Sequence, residues 1–456
     1  MSDSQLFAYA IDDVIKNGEA DGYFRLTADV ITPTETIHAF NIIGVERIQN
    51  FETWSGDSIM IELIFPLGVY VKRIYPQRNS LSIQLTKERI NFADYSSKDG
   101  VSIEGKYTAI LKPGKNNTFE GSHASALDEE SLNHNGFMTA EFQLFSPILQ
   151  KLHGRNVSGI LRSTTTKKTV NVTDALLGLI SDACSKVKLP APDTIKGISI
   201  VDVDNRREYE SIIIPQDMIL GKLATFLNRD KGVYSAGLGS YICNQVWWVY
   251  PLFNINRYED DDRPRLHILK TSPNRMRNIE RTYKDGGSVI TVLATTTSNF
   301  KDDSGAAFIE KGNGFILSDA TKFMDGVIKM AGGKALSNRA DRNTEVTFST
   351  KGSQAPVMRM SPDRISSNPF VDSARTALRS GAIATYIWEN SNPSLLIPGM
   401  CVRMDYEENG TVYTKYGVLL NAATHVKPTT KNMSNTTFSS SSILSIFVDR
   451  SKHATS

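Results

Sequence analysis

Leu81-Ser82-Ile83-Gln84-Leu85-Thr86 alternates apolar and polar residues without a break. A strand sends successive side chains to opposite faces, so this segment lays Leu81, Ile83 and Leu85 on a core and Ser82, Gln84 and Thr86 on the other side. The same two-residue period governs Phe24, Leu26, Ala28 and Val30, and again Met138, Ala140, Phe142 and Leu144. Residues 59–65 are apolar on nearly both faces, the composition of a central strand covered on each side. Pro66, Gly68, Pro76, Pro113 and Gly114 punctuate the gaps. The first 145 residues are therefore expected to be strands, closed as an antiparallel barrel or sandwich.

After Pro147 the period changes. Thr173 is placed to cap a helix carrying Leu176, Leu179, Ile180, Ala183 and Val187 on one stripe. A second helix is expected from Asp217, with Ile219, Leu220, Leu223, Phe226 and Leu227, after strand-like residues 211–214. Gly232-Val233-Tyr234 and an apolar run over 241–253 complete a mixed α+β region. Residues 300–370 are rich in Gly, Ser, Asn and Asp and are expected to form long loops, with a short strand at 344–348. Ala374, Ala377, Leu378, Gly381, Ala384 and Trp388 fit one helix face, ended by Asn392-Pro393. The last segment returns to strands around Asn409-Gly410. There a three-residue loop, Glu408-Asn409-Gly410, sets Tyr406 opposite Val412 and Val402 opposite Tyr416. Ser439 to Ser442 is expected to be a loop before a final strand over 443–448.

Composition bounds what such a chain does. At roughly 100 to 200 residues per domain, 456 residues make two to four domains. With 40% hydrophobic and 22% charged residues the composition is globular. Lys plus Arg number 51 against 49 Asp plus Glu, so the net charge of +2 supplies no field to hold a polyanion, and no specific nucleic acid is expected as partner. Three widely spaced cysteines, Cys184, Cys243 and Cys401, fit free thiols in a reducing compartment. The N-terminus lacks the basic start and apolar run of a signal peptide, and no apolar stretch reaches about 18 residues, so synthesis in a cytoplasm without membrane insertion is expected.

No constellation with catalytic spacing emerges. Gly237-Leu238-Gly239 lacks the third glycine of a dinucleotide fingerprint and fits a hairpin turn. Glu259-Asp260-Asp261-Asp262 lacks the spaced ligands of a calcium loop and fits a solvated acidic loop. Cys243 fits core packing, His267 an incidental surface role, and Trp247 and Trp248 a core. No zinc-protease, nucleophile-elbow or phosphate-loop segment occurs, and the seven histidines are scattered, so no metal or cofactor is expected. Basic residues gather near the first strands instead. Lys72, Arg73, Arg78, Lys87 and Arg89, with Gln84 among them, could line a channel or meet an acidic partner if they share the polar face of a barrel; a plain solvated face is the competing reading.

A β-rich start, an α+β middle and a β-rich end thus follow one another. That order resembles the tail hub proteins of bacteriophages, above all the baseplate hub of contractile-tailed phages. The likeness also rests on Gly68 to Arg89, the helix from Thr173 to Val187, Ile213-Ile214-Pro215, Gly232-Val233-Tyr234 with Val249-Tyr250-Pro251, and Ile397-Pro398-Gly399. The resemblance implies a β-rich α+β fold with two tail-tube-like antiparallel β-barrels and a mixed α+β domain between them. The expected limits are 1–146 for the first barrel, 147–285 for the mixed domain and 286–456 for the second barrel, with an insertion over about 300–390. It further implies a non-catalytic virion protein of the tail baseplate, a homotrimer partnered by tail tube and spike proteins and serving tail assembly. Residues 300–370 have no counterpart in that family, and the hydrolase module fused to some members is not read here. Two rivals remain: a tail-associated enzyme cutting peptidoglycan or surface polysaccharide, which needs paired carboxylates or a metal, and a sugar-binding module built on Trp247 and Trp248.

Overall fold

In the computed structural model the alternating segments are strands, and their apolar sets point to one side. The structure describes all residues except 1, 20–22, 53–54, 91–96, 113–135, 163–168, 188–193, 277–278, 297–313, 317–334, 341–342, 350–367, 430–436, 450–453 and 456. The chain opens with a helix, α1 (Asp3–Asn17), followed by β1 (Phe24–Ile31), β2 (Thr36–His38), β3 (Asn41–Asn50), β4 (Ser58–Pro66), β5 (Leu81–Ile90), β6 (Ser97–Leu111) and β7 (Phe137–Phe145). A mixed stretch comes next: α2 (Pro147–His153), β8 (Gly159–Leu161), β9 (Val170–Asn171), α3 (Val172–Ser185), β10 (Gly197–Ile200), β11 (Glu208–Tyr209), β12 (Ile212–Ile214), α4 (Leu220–Asp230), β13 (Leu238–Cys243) and β14 (Val246–Pro251). Then come β15 (Arg265–Lys270), β16 (Tyr283–Asp285), β17 (Val289–Thr296), β18 (Gly314–Ile316), β19 (Ala335–Ala340), β20 (Asn343–Ser349) and α5 (Pro369–Ser380). The chain finishes with β21 (Gly381–Glu389), β22 (Cys401–Glu408), β23 (Thr411–Pro428), β24 (Thr437–Asp449) and β25 (Ala454–Thr455).

The protein is β-rich, with a 15-stranded mixed sheet and few helices. Pairing along that sheet closes on itself twice. One circuit runs β23–β3–β4–β7–β6–β5–β1–β24 and returns through β24–β23; the other runs β15–β22–β23–β24–β21–β17 and returns through β17–β15. Both circuits use β23 and β24, whose length allows it: β23 meets β22 over residues 411–418 and β3 over 421–426. Each circuit has its own apolar filling, Phe65, Ile83, Phe142 and Leu144 in the first and Trp388, Met400, Leu444 and Ile446 in the second. The mixed stretch has a third, where Leu176, Ile180, Ile212, Leu227, Trp247 and Val249 meet.

Several expectations need correction. Strands do not fill the first 145 residues: α1 is capped by Ser2, whose Oγ accepts from the Gln5 N–H while the Gln5 side chain accepts from Ser2 N–H. The pairings are not all antiparallel, because β15 runs parallel to both β17 and β22; no hairpin joins β15 to either, so nothing forces them to reverse. The last hairpin turns in two residues, Asn409 (φ 52°) and Gly410 (φ 79°), which places Tyr406 opposite Tyr413. Matching apolar to apolar misled here because both faces of the hairpin are covered: Val402 and Met404 face the second circuit's core, and Val412 lies under α1.

The helix face expected through Trp388 stops at Ser380, and Gly381–Glu389 is a strand paired with β24 along its whole length. Its Ile383, Thr385, Tyr386, Ile387 and Trp388 are β-formers, and this outweighs the spacing. Ser439 to Ser442 belongs to β24, not to a loop; Ser442 Oγ lies 2.7 Å from Ser391 Oγ and 2.8 Å from Thr424 Oγ1. Asn171 rather than Thr173 caps α3, its Oδ1 accepting from Asp174 N–H at 2.7 Å. The hairpin turn in the 237–251 region sits at Asn244-Gln245 (φ 50° and 62°), while Gly237 leads into β13. The loops expected over 300–370 lie largely outside the described residues; within that span β18, β20 and β19 form a small sheet of their own, and β20 covers the expected strand at 344–348.

Candidate functional site

The structure spreads the six sequence-predicted residues over both ends and both faces of the first circuit. Lys72 and Arg73 lie on a short helical cap, Tyr70–Ile74, that turns Tyr70 and Ile74 into the core. Arg73 Nε donates to Glu35 Oε1 at 2.8 Å. Arg78 follows the cap, its guanidinium 4.6 Å above the Tyr75 ring. Gln84 is on the outer face of β5, opposite Asp29 and Lys106. Lys87 shares the inner parity of Leu81, Ile83 and Leu85, and its Nζ sits 4.2 Å over Phe24. Arg89 stands opposite Phe24 at that same end, about 25 Å along the strand from Leu81.

These residues therefore line no common wall. The inside of the first circuit is packed by buried side chains, with a cavity of about 30 Å³ beside Arg47, Lys87, Glu104 and Tyr107. That is room for a water or two, not a conduit.

Buried polar groups do a different job, which sequence spacing did not reveal. Arg47 Nε donates to Asp57 Oδ2 at 2.6 Å, and Tyr241 Oη donates to Asp57 Oδ1 at 2.6 Å, joining β3 to β13. Burial works against the Arg47 charge, yet Asp57 beside it raises the pKa above the ordinary value. Tyr250 Oη donates to Phe51 O at 2.6 Å, and Phe51 N–H to Leu420 O at 2.9 Å, so β14, the end of β3 and β23 are tied at one point. Asp261 is the exception in its acidic loop: it turns inward to Arg257 (2.8 Å) and Arg263 (3.0 Å), while Asp260 and Asp262 stay exposed. His267 is no incidental surface residue, since Nε2 lies 2.8 Å from Asp405 Oδ2. Burial pushes the Asp405 carboxyl up, but hydrogen bonds from His267, Arg403 and Thr414 hold it below the ordinary carboxylate range.

Such an arrangement fastens parts together rather than activating them. The thiols of Cys243 and Cys401 are pushed up to about 12, mainly by burial, which suppresses the thiolate a nucleophile needs. Among the described residues no three His, Cys, Asp or Glu are grouped to hold a metal, and no helix is long and apolar enough to cross a membrane. Trp247 is buried with its Nε1–H donating to Ser240 Oγ at 3.0 Å, and Trp248 Nε1–H donates to Cys243 O at 3.2 Å.

What the described surface offers instead is exposed apolar side chains. Phe40 and Phe137 are each 49% exposed, with ring centroids 4.6 Å apart on the outer side of the first circuit. Leu6 and Tyr9, 51% and 66% exposed, lie on the outer face of α1. The inner face of α1 packs Phe7, Ile11 and Val14 onto Leu269, Leu293 and Val412 of the second circuit.

No family model matches the chain, and no curated protein matches it. Among solved structures it is similar to the 43 kDa tail protein of prophage MuSo2 from Shewanella oneidensis, at 8% identity and a TM-score of 0.37, covering 92% of this chain and 97% of that one. It is also similar to a chain of the Francisella PdpA-VgrG complex. The lidded form gives 11% identity, a TM-score of 0.35 and coverage of 99% and 56%; the half-lidded form gives 10%, 0.37, 99% and 62%.

Proposed function

We propose that this chain is a structural protein of a tail-like particle, a baseplate hub that joins a tail tube to a central spike. It acts as a homotrimer and sits in the virion tail after synthesis in a host cytoplasm. The observation that carries this reading is the double closure of the sheet through β23 and β24. Closure gives the strands of each circuit partners on both sides over much of their length, through short junctions at β1–β24 and β17–β21, so each presents a wall that can stand beside another. Two tube-like barrels per chain in a ring of three give six similar walls facing a six-fold tube and three repeats facing a three-fold spike, which is what the family resembled by the sequence layout builds. Residues 1–146 supply most of the first barrel, 147–285 the mixed part, and 286–456 most of the second. The packed interiors, and the Tyr241–Asp57 and Tyr250–Phe51 hydrogen bonds that fasten β13 and β14 to the first circuit, suit a load-bearing joint.

Light scattering after size exclusion tests the assembly: a mass near three times 50.5 kDa is expected. A zymogram separates this reading from the tail-associated enzyme. No clearing of peptidoglycan is expected; clearing abolished by one carboxylate substitution would replace the structural reading with the enzymatic one.

A further inference from the structure

A ring of three needs two different, matching patches on each copy, since a single self-complementary patch closes at a dimer. The described surface carries such a pair on its two circuits. On the first, Phe40 and Phe137 form an exposed aromatic pair, and the basic helical cap starts beside them, Leu67 N–H donating to Gly136 O at 2.8 Å. Lys72 and Arg78 of that cap and its following turn are exposed. On the second, α1 shows Leu6 and Tyr9 to solvent one helical turn apart, with the exposed Asp3 in its first turn. One patch is apolar with a cationic border, and the other is apolar with carboxylates at its N-terminal end, Asp3 and the exposed Glu407, which accepts from Ser4 Oγ at 2.6 Å, so the two complement each other there in both respects. The outer face of α1 is also held in a fixed place, because Asp12 and Asp13 are paired with Arg275 and Lys284 beneath it.

We infer that the Phe40–Phe137 patch of one copy docks on the outer face of α1, at Leu6 and Tyr9, of a second copy of this chain. The inference rests on the trimeric reading above and names its contact.

Tyr9→Asp and Phe137→Asp, each made in the full chain, test it. Both positions are exposed at the surface, so each variant should keep the wild-type circular dichroism. Each alone should elute near 50.5 kDa where the wild type is three times heavier, and an equimolar mixture should give a species near twice 50.5 kDa, because one intact face of each variant still matches the other. Should an aspartate variant lose the wild-type spectrum, Tyr9→Ser or Phe137→Thr takes its place in the same mixture. Variants that remain trimeric overturn the inference and leave the trimeric reading intact. Monomers that fail to pair on mixing overturn the match between these two faces. A wild type that is monomeric at every concentration overturns the trimeric reading, and the inference with it.

Discussion

Ile83 and Gln84 are neighbours in β5 whose substitution should have opposite consequences. Ile83 has no exposed surface, stands opposite Val30 and Tyr107, and belongs to the first circuit's core. Ile83→Asp forfeits about 1.5–3 kcal/mol of apolar burial. It also places a carboxyl in that core, costing about 1–3 kcal/mol even when protonated. The sum, roughly 2.5–6 kcal/mol, is comparable to the ~5–15 kcal/mol that holds a typical domain folded. Gln84→Asp changes an outward position opposite Asp29 and Lys106, where a new carboxylate meets one like and one unlike charge, and the net effect should stay within about 1 kcal/mol. Urea unfolding of the full chains, followed by circular dichroism, measures both. Ile83→Asp should be insoluble or unfold at much lower urea, and Gln84→Asp should track the wild type. Equal tolerance of the two, or unfolding by Gln84→Asp alone, refutes the assignment of faces and the closed first circuit built on it.

The two-residue turn makes Asn409→Val costly by about 1–2 kcal/mol, because Asn409 is left-handed, whereas Asn409→Gly should be neutral; a three-residue loop would tolerate both, and thermal melts decide. Asp405 is held below the ordinary carboxylate range, so its stabilisation is complete above about pH 4 and is lost as the pH falls through its folded value. Asp405→Asn should therefore lower the melting temperature at pH 7, and the gap to wild type should narrow toward pH 3; a gap that widens in acid contradicts the network. Cys243 and Cys401, buried and with thiols pushed up to about 12, should resist a thiol reagent at pH 8 until the protein is unfolded, and rapid labelling of either in the folded chain would show that the burial is wrong.

The first circuit was legible where only one face of a strand is packed, as in β1 and the first half of β5, so Leu81, Ile83 and Leu85 announce their side by alternation. The second was not, since α1 covers part of its outer face and the period of two is blurred where both sides are buried. Ser440 and Ser442 show a related limit: serine favours loops when its hydroxyl is unpaired, but these two are buried, Ser440 Oγ donating to Ser391 O and Ser442 lying between Ser391 and Thr424. For α1 the signal lies in Ser2-Asp3-Ser4-Gln5, a capping box ahead of Phe7, Ile11 and Val14. The basic residues were scattered because β5 sends Gln84 and Lys87 to opposite faces while Lys72 and Arg73 sit on a cap, and no linear count reveals which end of a closed sheet a residue reaches.

Negative-stain imaging of the purified full-length protein tests the central claim most directly. The account predicts a three-fold ring with a central hole, walled by two densities per copy. Solid single particles of about 50.5 kDa at every concentration, or rings of another symmetry, would contradict it.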